Sequence, residues 1–239
     1  MSNSPLVDYT LLSPNCGNNP GQAKRLYPIS KITVHHTGGK IGVEALGQVF
    51  LPIARRASSN YGIGFDGRIG LYVPENIRAW TSSSWQNDNR AVTIEVSNSA
   101  SGGEWPVSDY VLDRLVELMV DICKRNGMPG LTYDGTPDGT LTEHRMFAAT
   151  PCPGPYLHER MGALAEIVTA KVKGLPAPLD SFDQKKAKPQ EVYRVQLGAF
   201  YARSGAERTL KVYDKILALP EVQALLKPLK LDNTKPYIP

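Results

Sequence analysis

Hydrophobic and polar positions along this 239-residue chain change their period several times, and each change marks an element. The apolar run over residues 29–37 reads as a β-strand, with Ile32, Val34 and His36 on one face and Thr33 and His35 on the other. In Ala91–Ser97, Val92, Ile94 and Val96 oppose Ala91, Thr93 and Glu95. In Asn60–Phe65, Tyr61, Ile63 and Phe65 alternate with Asn60, Gly62 and Gly64. That run and Arg68–Val73 flank Asp66-Gly67, a strong hairpin signal. Helical spacing is clearest over Ser108–Asn126, where Val111, Leu112, Leu115, Leu118, Met119 and Ile122 recur on one side. Ser108 suits the cap, Asp109 the first turn, Lys124 and Arg125 the last turn, and Gly127 the stop. A short helix is expected over Val43–Phe50 and a longer one over Pro155–Val172.

Each of the three strands thus has a bulky apolar face and a small or polar one. Paired in one sheet, they would floor a single cleft with His35, Glu95 and the Asn60/Gly62/Gly64 stripe, while helix 108–126 covers the apolar face. Residues 1–27 read as an irregular lead-in broken by Pro14, Gly17, Pro20 and Gly21. Residues 28–172 form the main domain, and the Pro- and charge-rich residues 173–190 a linker. Residues 191–239 form a small α+β segment, with a strand pattern at Tyr193–Leu197 and a helix after Ser204. The fold class is therefore α/β, a mixed central sheet flanked by helices.

The chemistry concentrates in His144-Arg145-Met146-Phe147-Ala148-Ala149-Thr150-Pro151-Cys152-Pro153-Gly154 and in the upstream His35-His36 pair. Two imidazoles and one thiolate suit a zinc ion with its fourth position open to water, the arrangement of a catalytic rather than a structural site. Strand alternation favours His35 over His36 as the second imidazole; His36 falls on the apolar face and reads as a hydrogen-bonded core histidine. His158 reads as solvated or locally paired beside Glu159 and Arg160. Glu95 has two readings. It either pairs with Arg90 or lies at a sheet edge, or it faces the histidine as the general base of a zinc hydrolase, the reading preferred here. Trp80, Trp85 and Trp105 are candidates for a sugar-binding groove or for aromatic packing, and Asn60, Trp80 and Arg90 are the substrate-binding candidates.

Composition narrows the class. A 41% hydrophobic content supports a packed core and excludes global disorder. The net charge of +4 is too weak to indicate nucleic-acid binding but suits an anionic polymer such as a cell wall. Three cysteines argue against a disulfide framework; Cys123 reads as a buried thiol and Cys16 is assigned no role. The N-terminus lacks a basic stretch followed by an apolar run, and no segment approaches 18 apolar residues. The expectation is a protein held in the cytoplasm until released, without membrane insertion.

Val34-His35-His36-Thr37, the Asn60-Tyr61…Asp66-Gly67 hairpin, Tyr72-Val73-Pro74-Glu75-Asn76 with Ala79-Trp80, Ala91–Glu95 and His144-Arg145…Pro151-Cys152-Pro153-Gly154-Pro155 occur in that order. Together they resemble the type 2 N-acetylmuramoyl-L-alanine amidases, which include bacteriophage endolysins and are related to peptidoglycan recognition proteins. The resemblance implies one zinc per chain in a surface groove, held by His35, His144 and Cys152, with Glu95 as catalytic acid/base. Some relatives carry a tyrosine where this chain has Ser59. Where others have a lysine two residues before the cysteine, this chain has Thr150, whose hydroxyl is left as the hydrogen-bond donor there. The implied reaction is hydrolysis of the amide between N-acetylmuramic acid and L-alanine in peptidoglycan, in a bacteriolytic endolysin. A cytoplasmic muropeptide-recycling amidase and a non-catalytic peptidoglycan-binding protein are the alternatives. Tyr193–Phe200, with the helix that follows, resembles the start of a sporulation-related repeat. That implies glycan binding by the tail, against a plain helical appendage or an oligomerisation element.

Overall fold

The computed structural model describes residues 2–18 and 24–176. The expectations for residues 177–239, most of the linker and the whole C-terminal segment, lie outside the described residues.

Six strands form one mixed sheet: β1 Tyr9–Thr10, β2 Lys31–His36, β3 Tyr61–Ile63, β4 Ile69–Leu71, β5 Ala91–Val96 and β6 Leu141–Glu143, in the order β1-β4-β3-β5-β2-β6. Only β3 and β4 pair antiparallel, around the Asp66-Gly67 turn; the other neighbours run parallel. The helices are α1 Val43–Phe50, α2 Trp85–Asp88, α3 Asp109–Arg125, α4 Gly154–His158 and α5 Met161–Val172.

The apolar faces read from alternation meet in one core. Ile32, Val34, Tyr61, Ile63, Val92, Ile94 and Val96 pack with Leu112, Leu115, Met119 and Ile122 of α3 and with Leu164, Ile167 and Val168 of α5. Ser108 caps α3 by accepting from the Val111 N–H, and Gly127, at φ +68°, ends it where a side chain would be strained. Cys123 is fully buried in this core, and burial pushes its thiol up to about 12. Among the described residues no helix is long and apolar enough to cross a membrane.

The structure departs from the sequence expectations in four places. The lead-in is docked rather than loose: Tyr9–Thr10 adds an edge strand along β4, and the Ser4 N–H donates to the Tyr61 hydroxyl at 2.8 Å. The helix expected over 155–172 is two, separated at Glu159–Arg160. The strand β6 and the short helix α2 carry too few residues for periodicity to show. Finally, Gly62 does not floor a cleft. A Cβ there would stand 2.5 Å from Leu46 and 2.8 Å from the Tyr72 ring, so this stripe seats α1 and Tyr72 against the sheet.

A buried ion pair locks the end of α3 to this scaffold. Glu75 is 1% exposed and accepts from Arg125 (2.5 and 3.0 Å), the Tyr61 hydroxyl (2.6 Å) and Asn126 (3.2 Å). Removing one partner of such a pair strands a desolvated charge. Arg125→Ala is therefore expected to lower the unfolding free energy by about 3 kcal/mol, read by urea denaturation, whereas Glu117→Ala, which removes only an exposed ion pair with Arg114, costs under about 1 kcal/mol.

Candidate metal centre

The groove lies on the polar face of the sheet. β2 and β5 pair in register, with His35 opposite Glu95, so both side chains leave the sheet on the same side. His144 follows β6 directly, and Cys152 closes the segment that begins there. The Arg145 N–H donates to the Cys152 carbonyl at 3.1 Å, and the Cys152 N–H to the Thr150 hydroxyl at 3.2 Å. Sequence-distant residues thereby converge: one ligating atom each from His35, His144 and Cys152 lies within 4.8 Å of the others.

This donor set fits a metal ion on three observations. The His35 Nδ1 and Cys152 Sγ stand 3.6 Å apart; zinc bonds of about 2.3 Å to sulfur and 2.0–2.1 Å to nitrogen at a tetrahedral angle place the two atoms about 3.5 Å apart. The His144 Nε2 is buried and finds no hydrogen-bond partner among the described residues, an arrangement costly unless something else occupies this ring. Burial holds both imidazoles below their ordinary pKa, His35 far below with its neighbours His144 and His36 adding to the effect, so both are neutral bases. Burial pushes the Cys152 thiol upward, against an N–H donated to its sulfur by His36 at 3.4 Å.

The groove has a volume of about 280 Å³ and is lined by Phe50, Arg55, Trp80, Thr81, Glu95 and Thr150 besides the three ligand candidates. Burial raises Glu95 to about 8, partly countered by the Arg55 guanidinium. Arg55 has no signal in the sequence: it stands in a three-residue 3-10 turn, Ile53–Arg55, which no periodicity marks. Trp80 lines the groove while its indole N–H donates to the Gly17 carbonyl at 2.8 Å.

Four residues lie elsewhere than the sequence suggested. Asn60 does not reach the groove. It is fully buried, its Oδ1 accepting from Arg25 (2.9 Å) and the Thr93 N–H (3.1 Å) and its Nδ2 facing the carbonyls of Val73, Pro74 and Ile77. Arg90 stacks on Tyr27 at 3.7 Å and lines a separate concavity with Lys31, Asn87 and Phe147, so it neither pairs with Glu95 nor enters the groove. His36 is half-buried against the edge of Trp105, and its Nδ1 finds no hydrogen-bond partner among the described residues, so it is not a hydrogen-bonded core histidine. His158 pairs across the fold with Glu143 rather than with its neighbours in sequence. Ser59 is buried, its hydroxyl directed to backbone carbonyls of Tyr61 and Thr93.

Comparison with known proteins follows the same boundaries. A family model described as N-acetylmuramoyl-L-alanine amidase matches residues 25–155, more than half the chain and all of the groove. No curated protein sequence matches the chain. Among solved structures, the catalytic domain of PlyG is 19% identical, the alignment covering 70% of this chain and 94% of that one, with a TM-score of 0.50. A mutant endolysin from Bacillus subtilis is 16% identical over 70% of this chain and 99% of its own, also at 0.50. The hydrolase AmiA of Staphylococcus aureus, solved with its ligand, is 14% identical over 74% and 90% at the same score. At these identities the likeness concerns the fold.

The raised Glu95 carboxyl has a measurable consequence. Below its ordinary value near 4.5 the group is neutral folded or unfolded; above about 8 it is charged in both states and the folded state carries the full cost of burying it. Stability contributed by the neutral form is thus lost as pH rises through this window. In chelator-treated protein, Glu95→Gln is expected to raise the melting temperature by several degrees at pH 9 and to leave it unchanged at pH 4, measured by scanning calorimetry.

Proposed function

This chain belongs to the N-acetylmuramoyl-L-alanine amidase family and acts on peptidoglycan, and from that premise we propose that it is a zinc-dependent endolysin that cuts the amide between the lactyl group of N-acetylmuramic acid and L-alanine. The convergence of His35, His144 and Cys152 beside Glu95, inside the matched residues, carries this reading. The likeness in fold to a Bacillus subtilis endolysin supports the lytic role.

His35, His144 and Cys152 would hold the ion, which when bound supplies Lewis-acid polarisation and brings the pKa of water toward about 7. The remaining work falls to the chain. Glu95, ionised beside a cation, accepts a proton from the attacking water as its oxygen bonds to the lactyl carbonyl carbon. It returns that proton to the alanine nitrogen as the C–N bond breaks, leaving a carboxyl on the sugar and a free amine on the peptide. The Thr150 hydroxyl accepts from the Cys152 N–H and so keeps its own proton for the substrate carbonyl oxygen. Trp80 offers an aromatic wall for the sugar, and the Arg55 guanidinium favours the charged form of Glu95.

Mass spectrometry of purified sacculi after digestion is expected to show intact glycan strands, free stem peptides and one new amine per cut; glycan fragments or cleaved peptide cross-links instead would overturn the assignment. Intact sacculi are expected to be cut faster than small muropeptides, the opposite order favouring a recycling enzyme. Glu95→Gln is expected to keep zinc and lose activity by about 10²–10⁴-fold, and Cys152→Ser to lose both.

Because the two imidazoles are already neutral while the thiol and the Glu95 carboxyl are protonated, zinc uptake at neutral pH should release protons from both Cys152 and Glu95. The apparent zinc affinity is then expected to rise by more than about tenfold per pH unit between pH 6 and 8, measured with a competing chelator, and Glu95→Gln to bring the slope back to about tenfold.

A further inference from the structure

On the opposite face of the sheet from the groove, Glu143 closes β6 with a carboxylate 2% exposed. β6 alternates, so Thr142 points with Thr33 into the polar face while Leu141 and Glu143 turn toward the helices. There the His158 Nδ1 lies 2.8 and 3.1 Å from the two Glu143 oxygens, and the Tyr133 hydroxyl donates to Oε1 at 3.1 Å. A buried carboxylate inside an otherwise apolar layer is costly and is retained only where both oxygens are satisfied.

The location of this pair is its significance. Glu143 directly precedes one ligand candidate, His144, and His158 ends the helix α4 that starts two residues after the other, Cys152. The segment 144–152 is thus held at two levels. The Arg145 N–H to Cys152 carbonyl bond closes its neck, and the Glu143–His158 contact clamps the two chain stretches just outside. The helix breaks at Glu159–Arg160, immediately after the clamped residue. A continuous helix would carry no such corner, and the break lets His158 turn back to β6. Nδ1–H donation serves both the neutral tautomer and the imidazolium, so the clamp does not depend on the protonation of His158.

We propose that the Glu143–His158 pair is a positioning clamp that presets the separation of His144 and Cys152 for the metal ion. Neither residue lines the groove; the pair acts by keeping two ligands on separate chain stretches at coordination distance, so that binding incurs less ordering entropy. This rests on the zinc reading above and adds to it two residues outside the groove.

The test uses the full chain, stripped of metal by chelation, then titrated with Zn²⁺ against a chromophoric chelator and with Co²⁺ for its ligand-field bands. His158→Leu is expected to weaken zinc about tenfold or more and to broaden and weaken the cobalt bands. His158→Asn, whose amide can donate near the Nδ1 position, is expected to restore most of the affinity. Because His158→Leu leaves the Glu143 carboxylate without its main partner, the double variant Glu143→Leu/His158→Leu separates stability from positioning. It should recover the melting temperature of the metal-free protein while zinc affinity stays weak. Wild-type zinc affinity in His158→Leu or in the double variant overturns the clamp. A wild-type chain that takes up neither ion overturns the metal reading together with it, so the two failures are distinguishable.

Discussion

The in-register parallel pairing of β2 with β5 is the constraint on which the groove depends. Each rung fixes which side chains share a face, and the rung His35–Glu95 places a metal-ligand candidate and a carboxylate side by side on the polar one. A slip of β2 by one residue would turn His35 into the helix layer and bring Val34 to the polar face, leaving Glu95 in the groove without it. The register is held because the other face is fully buried: Ile32, Val34, Val92, Ile94 and Val96 have no exposure and are matched against α3 and α5. The hydrophobic layer that stabilises the sheet therefore also aims the polar groups.

The polar face is built as a hydrogen-bonded sheet lining rather than an open floor. Thr33 and Thr142 face each other at 2.9 Å, Asn87 donates to Thr33, and Thr93 meets Asn60 and Thr81. These side chains replace water beneath the groove, so that burial acts on Glu95 and the imidazoles without leaving the strands' own polar groups unpaired. Burial then sets the chemistry: it keeps the histidines unprotonated, which a metal requires, and raises the acid toward neutrality, where proton exchange with water is easiest. The same burial holds the thiol protonated. A cation held by His35, His144 and Cys152 would favour the charged form of both thiol and acid.

Around this centre, short segments with little local signal do much of the positioning. The 3-10 turn at Ile53–Arg55 brings Arg55 to Glu95, the edge strand Tyr9–Thr10 ties down the N-terminal stretch, and β6 delivers His144. Asn60 shows the converse. Its place beside a hairpin and on a polar face suggested a substrate contact, yet six polar groups of the scaffold surround its amide and none of it is exposed. A polar residue on a polar face is indistinguishable in sequence from one that faces solvent, because alternation reports the face and not what covers it.

What the chain determined by itself is everything local: strand faces, the Asp66-Gly67 turn, the caps of α3, the choice of His35 over His36, and the His144…Cys152 spacing, since these follow from periods of two and 3.6 residues and from the donor chemistry of single side chains. Only the tertiary structure decided that Gly62 seats α1, that Arg55 enters the groove while Asn60 and Arg90 do not, and that His158 reaches Glu143. Each of those depends on which distant segment lies against a given face, a contact set by packing in three dimensions for which a one-dimensional period carries no term.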